Sequence, residues 1–299
     1  SVGNANSWVN YSDTTYIVEA NTTIYARLTD GENIGASKSV SITNIDKVNP
    51  EVKVGSASIV YGNSINFTMT DNLSGVNGWM VTTNTTKPSL TDNWNVIAVS
   101  TNTSVVYTPT AVGTYYVWVK DVANNISAYK EFKVTSKDIS SSDIKITLTP
   151  NSFVYDGSAK EPVVKVEDNG KVITEYTVSY NNNINVGTKA ETIITGTGNY
   201  SGSKKVYFTI TNAAITGSVS IAGVCRYGET LTAITDGINP SGCELTYEWY
   251  AGSTAETDKI AGANGKEYVI GSGLVGKTIY VVVTANKANY AEAKFTAST

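Results

Sequence analysis

The sequence predicts an all-β protein, several small sandwiches joined in series with minimal helix, and three observations carry that expectation. The residue alphabet is one of strands and turns: 41% of the 299 residues are hydrophobic but only 16% are charged, against a usual charged share of about 25%. Thr, Ser, Asn, Val and Tyr fill the difference, the residues of pleated strands and tight turns. Apolar residues recur with period two over short runs, and no segment sustains a helical period. The length exceeds one sandwich of roughly 100 residues, so several separate cores are expected.

An internal repeat organises the first part of the chain. Thr22 to Asp30 reads T-T-I-Y-A-R-L-T-D and Gly113 to Asp121 reads G-T-Y-Y-V-W-V-K-D. Both alternate and both end on Asp before a Gly/Asn-rich turn, which makes them the same strand in two copies. Each is followed by a second strand, Ser37 to Thr43 and Ser127 to Thr135, so each pair is expected to form a hairpin. On this alignment residues 1–46 are the C-terminal strands of a partial module, with Ile24, Ala26 and Leu28 facing inward. The uncovered core would then need shielding by a neighbour or by another strand arrangement.

A linker at Asp46 to Pro50 opens a second module, 47–136, because Pro favours an extended lead-in. Seven strands are predicted there, at 51–54, 64–70, 78–83, 94–100, 104–108, 114–120 and 128–135. Short strands at turn-spaced intervals are what a sandwich requires. A third module spans 137–212 and a fourth 213–299.

The phrases D-N-L-S-G-V (71–76) and G-T-Y-Y-V-W-V-K-D-V-A-N-N (113–125) resemble bacterial immunoglobulin-like repeats of surface proteins. The phrases F-V-Y-D-G-S-A-K-E-P, Y-T-V-S-Y-N-N-N-I-N-V-G-T and I-T-G-T-G-N-Y-S-G, in that order, resemble the Y-D-G type repeat of Gram-positive surface proteins. Residues 213–299 resemble a further bacterial Ig-like repeat, a resemblance that implies Trp249 is the core tryptophan of an Ig strand C. These resemblances imply tandem immunoglobulin-like β-sandwich modules in an elongated array, extracellular and attached at the cell surface or cell wall. They imply a stalk or adhesion segment; the alternative is a carbohydrate-binding or spacer region of a larger secreted polysaccharide-degrading enzyme. Ser1 to Asn10 has neither the charged start nor the apolar stretch of a signal peptide, so an internal fragment is expected.

The sequence has no histidine, which excludes Ser-His-Asp and Cys-His centres and histidine zinc sites. A paired-carboxylate glycosidase would need a cleft holding two acids roughly 5 to 10 Å apart, and small sandwiches in series are not expected to supply one. No enzyme activity and no cofactor are therefore predicted. With a net charge of -4, nucleic acid is not an expected partner, and no apolar run is long enough for membrane insertion. A monomer that meets a surface glycan or protein is the expected state.

Three side-chain groups are candidates for something more. Tyr116 and Trp118 share a strand face with Lys120, which assigns that face to solvent, and Tyr25 occupies the matching place in the first copy. Such rings could stack on a sugar, or could instead pack beneath a loop. Asp71 and Asp121 head oxygen-rich turns that could hold calcium or simply cap their own backbone. Cys225 and Cys243 lie at opposite ends of a predicted strand, Thr230 to Thr235. That strand is roughly 20 Å long against the 7 Å limit between Cα atoms for a bridge, so no disulfide between them is expected.

Overall fold

A computed structural model describes residues 2–4, 7–10 and 15–299, leaving the side chains of residues 2–7 and 188 aside. The part of the 1–46 segment at residues 1, 5–6 and 11–14 lies outside the described residues. The chain is all-β: its helical content among the described residues is two single 3₁₀ turns, Glu256–Asp258 and Ser272–Leu274. It divides into two compact units, residues 1–138 with 196–201, and residues 139–195 with 202–299.

The first unit begins with a single four-stranded sheet in the order Ser7–Val9, Val2–Asn4, Thr22–Ala26, Lys38–Ile42. The expected hairpin is present, Thr22 facing Ile42 and Ala26 facing Lys38. Its inward face is not. Leu28 is 84% exposed and Val40 56%, and Ala26 is exposed while Arg27 is half-buried. The alternation here therefore has no core to point into: none of the described side chains of this sheet is fully buried. The Arg27 guanidinium instead lies 4.1 Å from the centre of the Trp8 ring, a cation–π contact that draws the arginine in.

Two sheets follow. One has the order Asn102–Tyr107, Ile65–Thr70, Glu51–Val54; the other runs Ser58–Val60, Lys130–Thr135, Gly113–Asp121, Val76–Thr82, Asn95–Ser100. Their facing side chains form one core of Val52, Ile65, Phe67, Met69, Val76, Tyr115, Val117, Val119, Phe132 and Val134. The strand Gly113–Asp121 places Tyr115, Val117 and Val119 inward by strict alternation. The Tyr115 ring stacks on Phe132 at 5.3 Å, and its hydroxyl donates to the Ala111 carbonyl at 2.7 Å. Seven strands were expected from the sequence and eight are present. The missed one, Ser58–Val60, has three residues and no pattern long enough to read; it pairs parallel with Lys130–Thr135.

The second unit holds two more pairs of sheets. Ile144–Thr149, Val163–Asp168 and Lys171–Ile173 form one sheet, and Ser152–Val154, Ser203–Thr211, Gly187–Gly196 and Tyr176–Asn181 form another. Ala190, Phe208 and Ile210 anchor a core there with Leu148 and Phe153. Next, Ser220–Ala222, Thr230–Ile234 and Glu267–Val269 form a sheet, and Glu244–Ala251, Ile279–Asn286 and Ala293–Ser298 form its companion. Ile279, Val281, Val283 and Ala285 alternate inward around a fully buried Trp249. The indole N–H of Trp249 donates to the Gly265 carbonyl at 2.9 Å, satisfying the one polar atom that its burial would otherwise orphan.

The contrast between the first sheet and the core beside it is measurable. Phe67→Ala, at 0% exposure, is expected to cost about 3 to 5 kcal/mol through lost transfer energy and the cavity left behind. Leu28→Ala is expected to stay within about 0.5 kcal/mol of the parent, with both read by chemical denaturation.

Candidate functional site

Trp118 corrects the reading of an exposed aromatic face. It is 4% exposed and packs with Trp94, Ile126 and Met80 in a small second core on the outer side of its sheet. The excursion between Val76–Thr82 and Asn95–Ser100 brings Trp94 over that face. The indole N–H donates to Thr82 Oγ1 at 3.0 Å. Lys120, taken from the sequence as the mark of solvent, lies with its ammonium 5.4 Å from the Trp94 ring centre. Tyr116 is half-buried and meets Tyr129 edge-on at 5.0 Å. Tyr25 is half-buried in the separate N-terminal sheet, opposite Gly3 and Ser39. These three rings therefore do not form one sugar-stacking platform.

The acidic candidates are brought together, with a third that the sequence did not single out. Carboxylate oxygens of Asp46, Asp71 and Asp121 lie within 4.8 Å of one another, Asp71 and Asp121 being buried and Asp46 half-buried. Each is also a turn cap. Asp71 Oδ2 accepts the Gly75 N–H at 2.6 Å and that of Leu73 at 3.2 Å. Asp46 Oδ1 accepts the Val48 N–H at 2.8 Å, and its Oδ2 accepts that of Ser74 at 3.0 Å. Asp121 accepts the Asn125 N–H and Nδ2, both at 2.8 Å. Of the two roles weighed from the sequence, the hydrogen bonds show the capping one on all three side chains, and one carboxylate oxygen of each lies within 4.8 Å of the others. Asp46 escaped notice because it stands in a linker read for its Pro50.

The repeated strand-ending aspartates do the same job in opposite surroundings. Asp30 accepts the Asn33 N–H at 2.7 Å and its Nδ2 at 3.0 Å. These bonds, in open solvent, lower its pKa to about 2, the Asn33 side chain contributing most. Asp121 accepts the equivalent pair from Asn125, but burial foremost, with repulsion from Asp46 and Asp71, raises its pKa above the ordinary aspartate value. Burial also pushes on Asp46, yet the bonds from Ser74 and Val48 outweigh it and hold its pKa below the ordinary value.

Two further clusters share one design. In the first unit, Asn199 Oδ1 accepts the Val112 N–H at 2.8 Å, and Tyr200 meets Tyr61 edge-on, ring centres 5.6 Å apart at 78°. Tyr200–Ser201 pairs parallel with Lys137–Asp138. In the second unit, Asn289 Oδ1 accepts the Val186 N–H at 2.9 Å, and Tyr290 meets Tyr155 edge-on at 5.5 Å and 81°. Tyr290–Ala291 pairs parallel with Ala213–Ala214. Each is a clasp: an Asn-Tyr pair seated on a V-G step and on the tyrosine of a Tyr-Gly or Tyr-Asp-Gly turn. Sequence reading quoted N-Y only as part of a longer phrase. The recurrence of N-Y at 199–200 and 289–290, with V-G at 112–113 and 186–187, is the signal that could have found it.

The two thiols are free, Cys225 exposed and Cys243 half-buried with its Sγ 3.1 Å from the Pro240 carbonyl. Among the described residues no helix is long and apolar enough to cross a membrane.

No family model matches the chain, and no curated protein matches it. Among solved structures it is similar to the sialic acid binding region of a Streptococcus sanguinis adhesin, at 13% identity over 84% of this chain and 78% of that one, TM-score 0.29. It is similar to the calcium-stabilized, ice-binding adhesin of an Antarctic bacterium, at 13% identity over 93% and 80%, TM-score 0.31. It is also similar to a three-Ig segment of titin, at 10% identity over 83% and 97%, TM-score 0.27. Superpositions this loose carry no conclusion about this chain, whose fold rests on its own sheets.

Two measurements check the site. Trp118→Ala is expected to cost about 3 kcal/mol of stability in denaturation, as the loss of a buried ring does. In a carbon-detected NMR titration, Asp121 is expected to titrate above Asp46, and Asp30 near its value of about 2. The stability signs follow. The contribution of Asp121 is full below the ordinary aspartate range and is lost as pH rises through its raised pKa; that of Asp30 is present above the ordinary range and is lost as pH falls toward about 2.

Proposed function

We propose that this chain is a non-enzymatic extracellular segment that holds β-sandwich modules in series at a cell surface, as a structural stalk or adhesion module. The modules are those at 47–136, 137–212 and 213–299, preceded by the partial sheet of 1–46. The observation that supports it most is the shortness of the connections. One residue, Ser136, separates Lys130–Thr135 from Lys137–Asp138, and one residue, Asn212, separates Ser203–Thr211 from Ala213–Ala214. At both places an Asn-Tyr clasp lies alongside. A one-residue joint with a hydrogen bond and a ring contact beside it spends little entropy on wandering, which suits a spacer. The lack of histidine supports the absence of catalysis. In this role the partner is a surface glycan or protein met by loop tips, since loops carried on rigid sheets are where such proteins place recognition.

Single-molecule pulling tests the reading. Three separate unfolding events are expected, each releasing on the order of 25 nm of chain at about 3.4 Å per residue. A single all-or-none event would show one shared core and sink the stalk.

A further inference from the structure

Both clasps have a receiving half, and the chain contains a third copy of that half. In the filled copies it consists of a tyrosine turn and a V-G step: Tyr61 with Val112, and Tyr155 with Val186. The third copy is Tyr227-Gly228 with Val275-Gly276. The turn geometry matches. Gly62 and Gly228 both take left-handed φ, +90° and +78°, and each turn closes with the same bond, Asn63 N–H to the Val60 carbonyl and Glu229 N–H to the Arg226 carbonyl, both at 3.1 Å. The turn is tied to the segment that leads into the V-G step: Gly228 N–H donates to the Ile270 carbonyl and Ile270 N–H to the Glu229 carbonyl, both at 3.0 Å, five residues before Val275. What differs is occupancy. Tyr227 is 65% exposed and Val275 81%, whereas Tyr61 and Tyr155 each carry a second ring at 5.6 and 5.5 Å.

We infer that Tyr227 and Val275 form an open socket for the Asn-Tyr loop of a further β-sandwich module of this chain's own kind. The asparagine side-chain carbonyl would accept the Val275 N–H, and the tyrosine would set its edge on the Tyr227 ring. The occupant is specified by chemistry: one acceptor oxygen on a short side chain, then an aromatic ring one residue later, from a hairpin held by a connection of a residue or two. A linked module is favoured over a free one because each filled clasp adjoins a one-residue joint, which supplies the second half at high effective concentration.

This inference rests on the modular reading above, and the experiment separates the two. The 299-residue chain is compared with an extended chain in which residues 212–299 are repeated after Thr299, and amide hydrogen exchange is followed residue by residue. Protection of the Val275 amide is expected to rise at least tenfold in the extended chain, and Asn289→Ala in the added copy is expected to return it to the unextended rate. An unchanged Val275 amide with a folded added copy, shown by slow exchange at its own Val281, overturns the socket. If the added copy does not fold, an extension by residues 136–212, whose loop is Asn199-Tyr200, replaces it, and the same unchanged amide overturns the inference. In the unextended chain, Asn199→Ala and Asn289→Ala are expected to speed exchange at Val112 and Val186. Failure there undoes the clasps and the joints they support; success there with an inert Val275 undoes the socket alone.

Discussion

Each sandwich depends on one long strand whose alternate side chains have a facing sheet to enter. Gly113–Asp121 drives Tyr115, Val117 and Val119 into such a space, and Ile279–Asn286 drives Ile279, Val281, Val283 and Ala285. Apolar area leaves water at roughly 25 cal/mol per Å², so a strand that alternates inward residues repays the order it imposes. Thr22–Ala26 has the same pattern but buries none of its side chains fully, and its neighbours Leu28 and Val40 remain in solvent. Period two is therefore a necessary condition for a core and not a sufficient one.

The same dependence explains how polar groups are used. With so few charged residues, the chain satisfies its backbone at turns through Asn and Asp side chains, as Asp30 with Asn33 and Asp121 with Asn125. Where such a turn sits in open solvent it is a cap and nothing more. At Asp121 the turn is buried beside two other carboxylates, and burial together with their charge raises the pKa of the capping residue above the ordinary aspartate value. One sequence device thus has two consequences, decided by what packs around it.

Asparagine also works at the joints. Asn199 and Asn289 reach out to a backbone N–H that a strand start would otherwise leave bare, and the tyrosine that follows each one adds an edge-on ring contact. Both donors are half-buried, and a typical hydrogen bond contributes about 0.5 to 1.5 kcal/mol net, so the acceptor that each asparagine brings satisfies the strand start. On the modular reading proposed above, short connections and polar clasps are the features that would hold neighbouring modules in register.

The sequence by itself determined the all-β class, the absence of histidine chemistry, the repeated hairpin and nearly every strand between residues 51 and 135. All of these follow from composition and local period, which need no partner to be read. Tertiary structure decided the rest. Trp118 reads as solvent-facing because Lys120 shares its face, yet a loop from elsewhere in the chain brings Trp94 across both. Asp46 gains meaning only beside Asp71 and Asp121, 25 and 75 residues away in the numbering. The three-residue strand Ser58–Val60 exists because Lys130–Thr135 offers it an edge. In each case the deciding contact lies far along the chain, and alternation can say which way a side chain points but not what will be there to meet it.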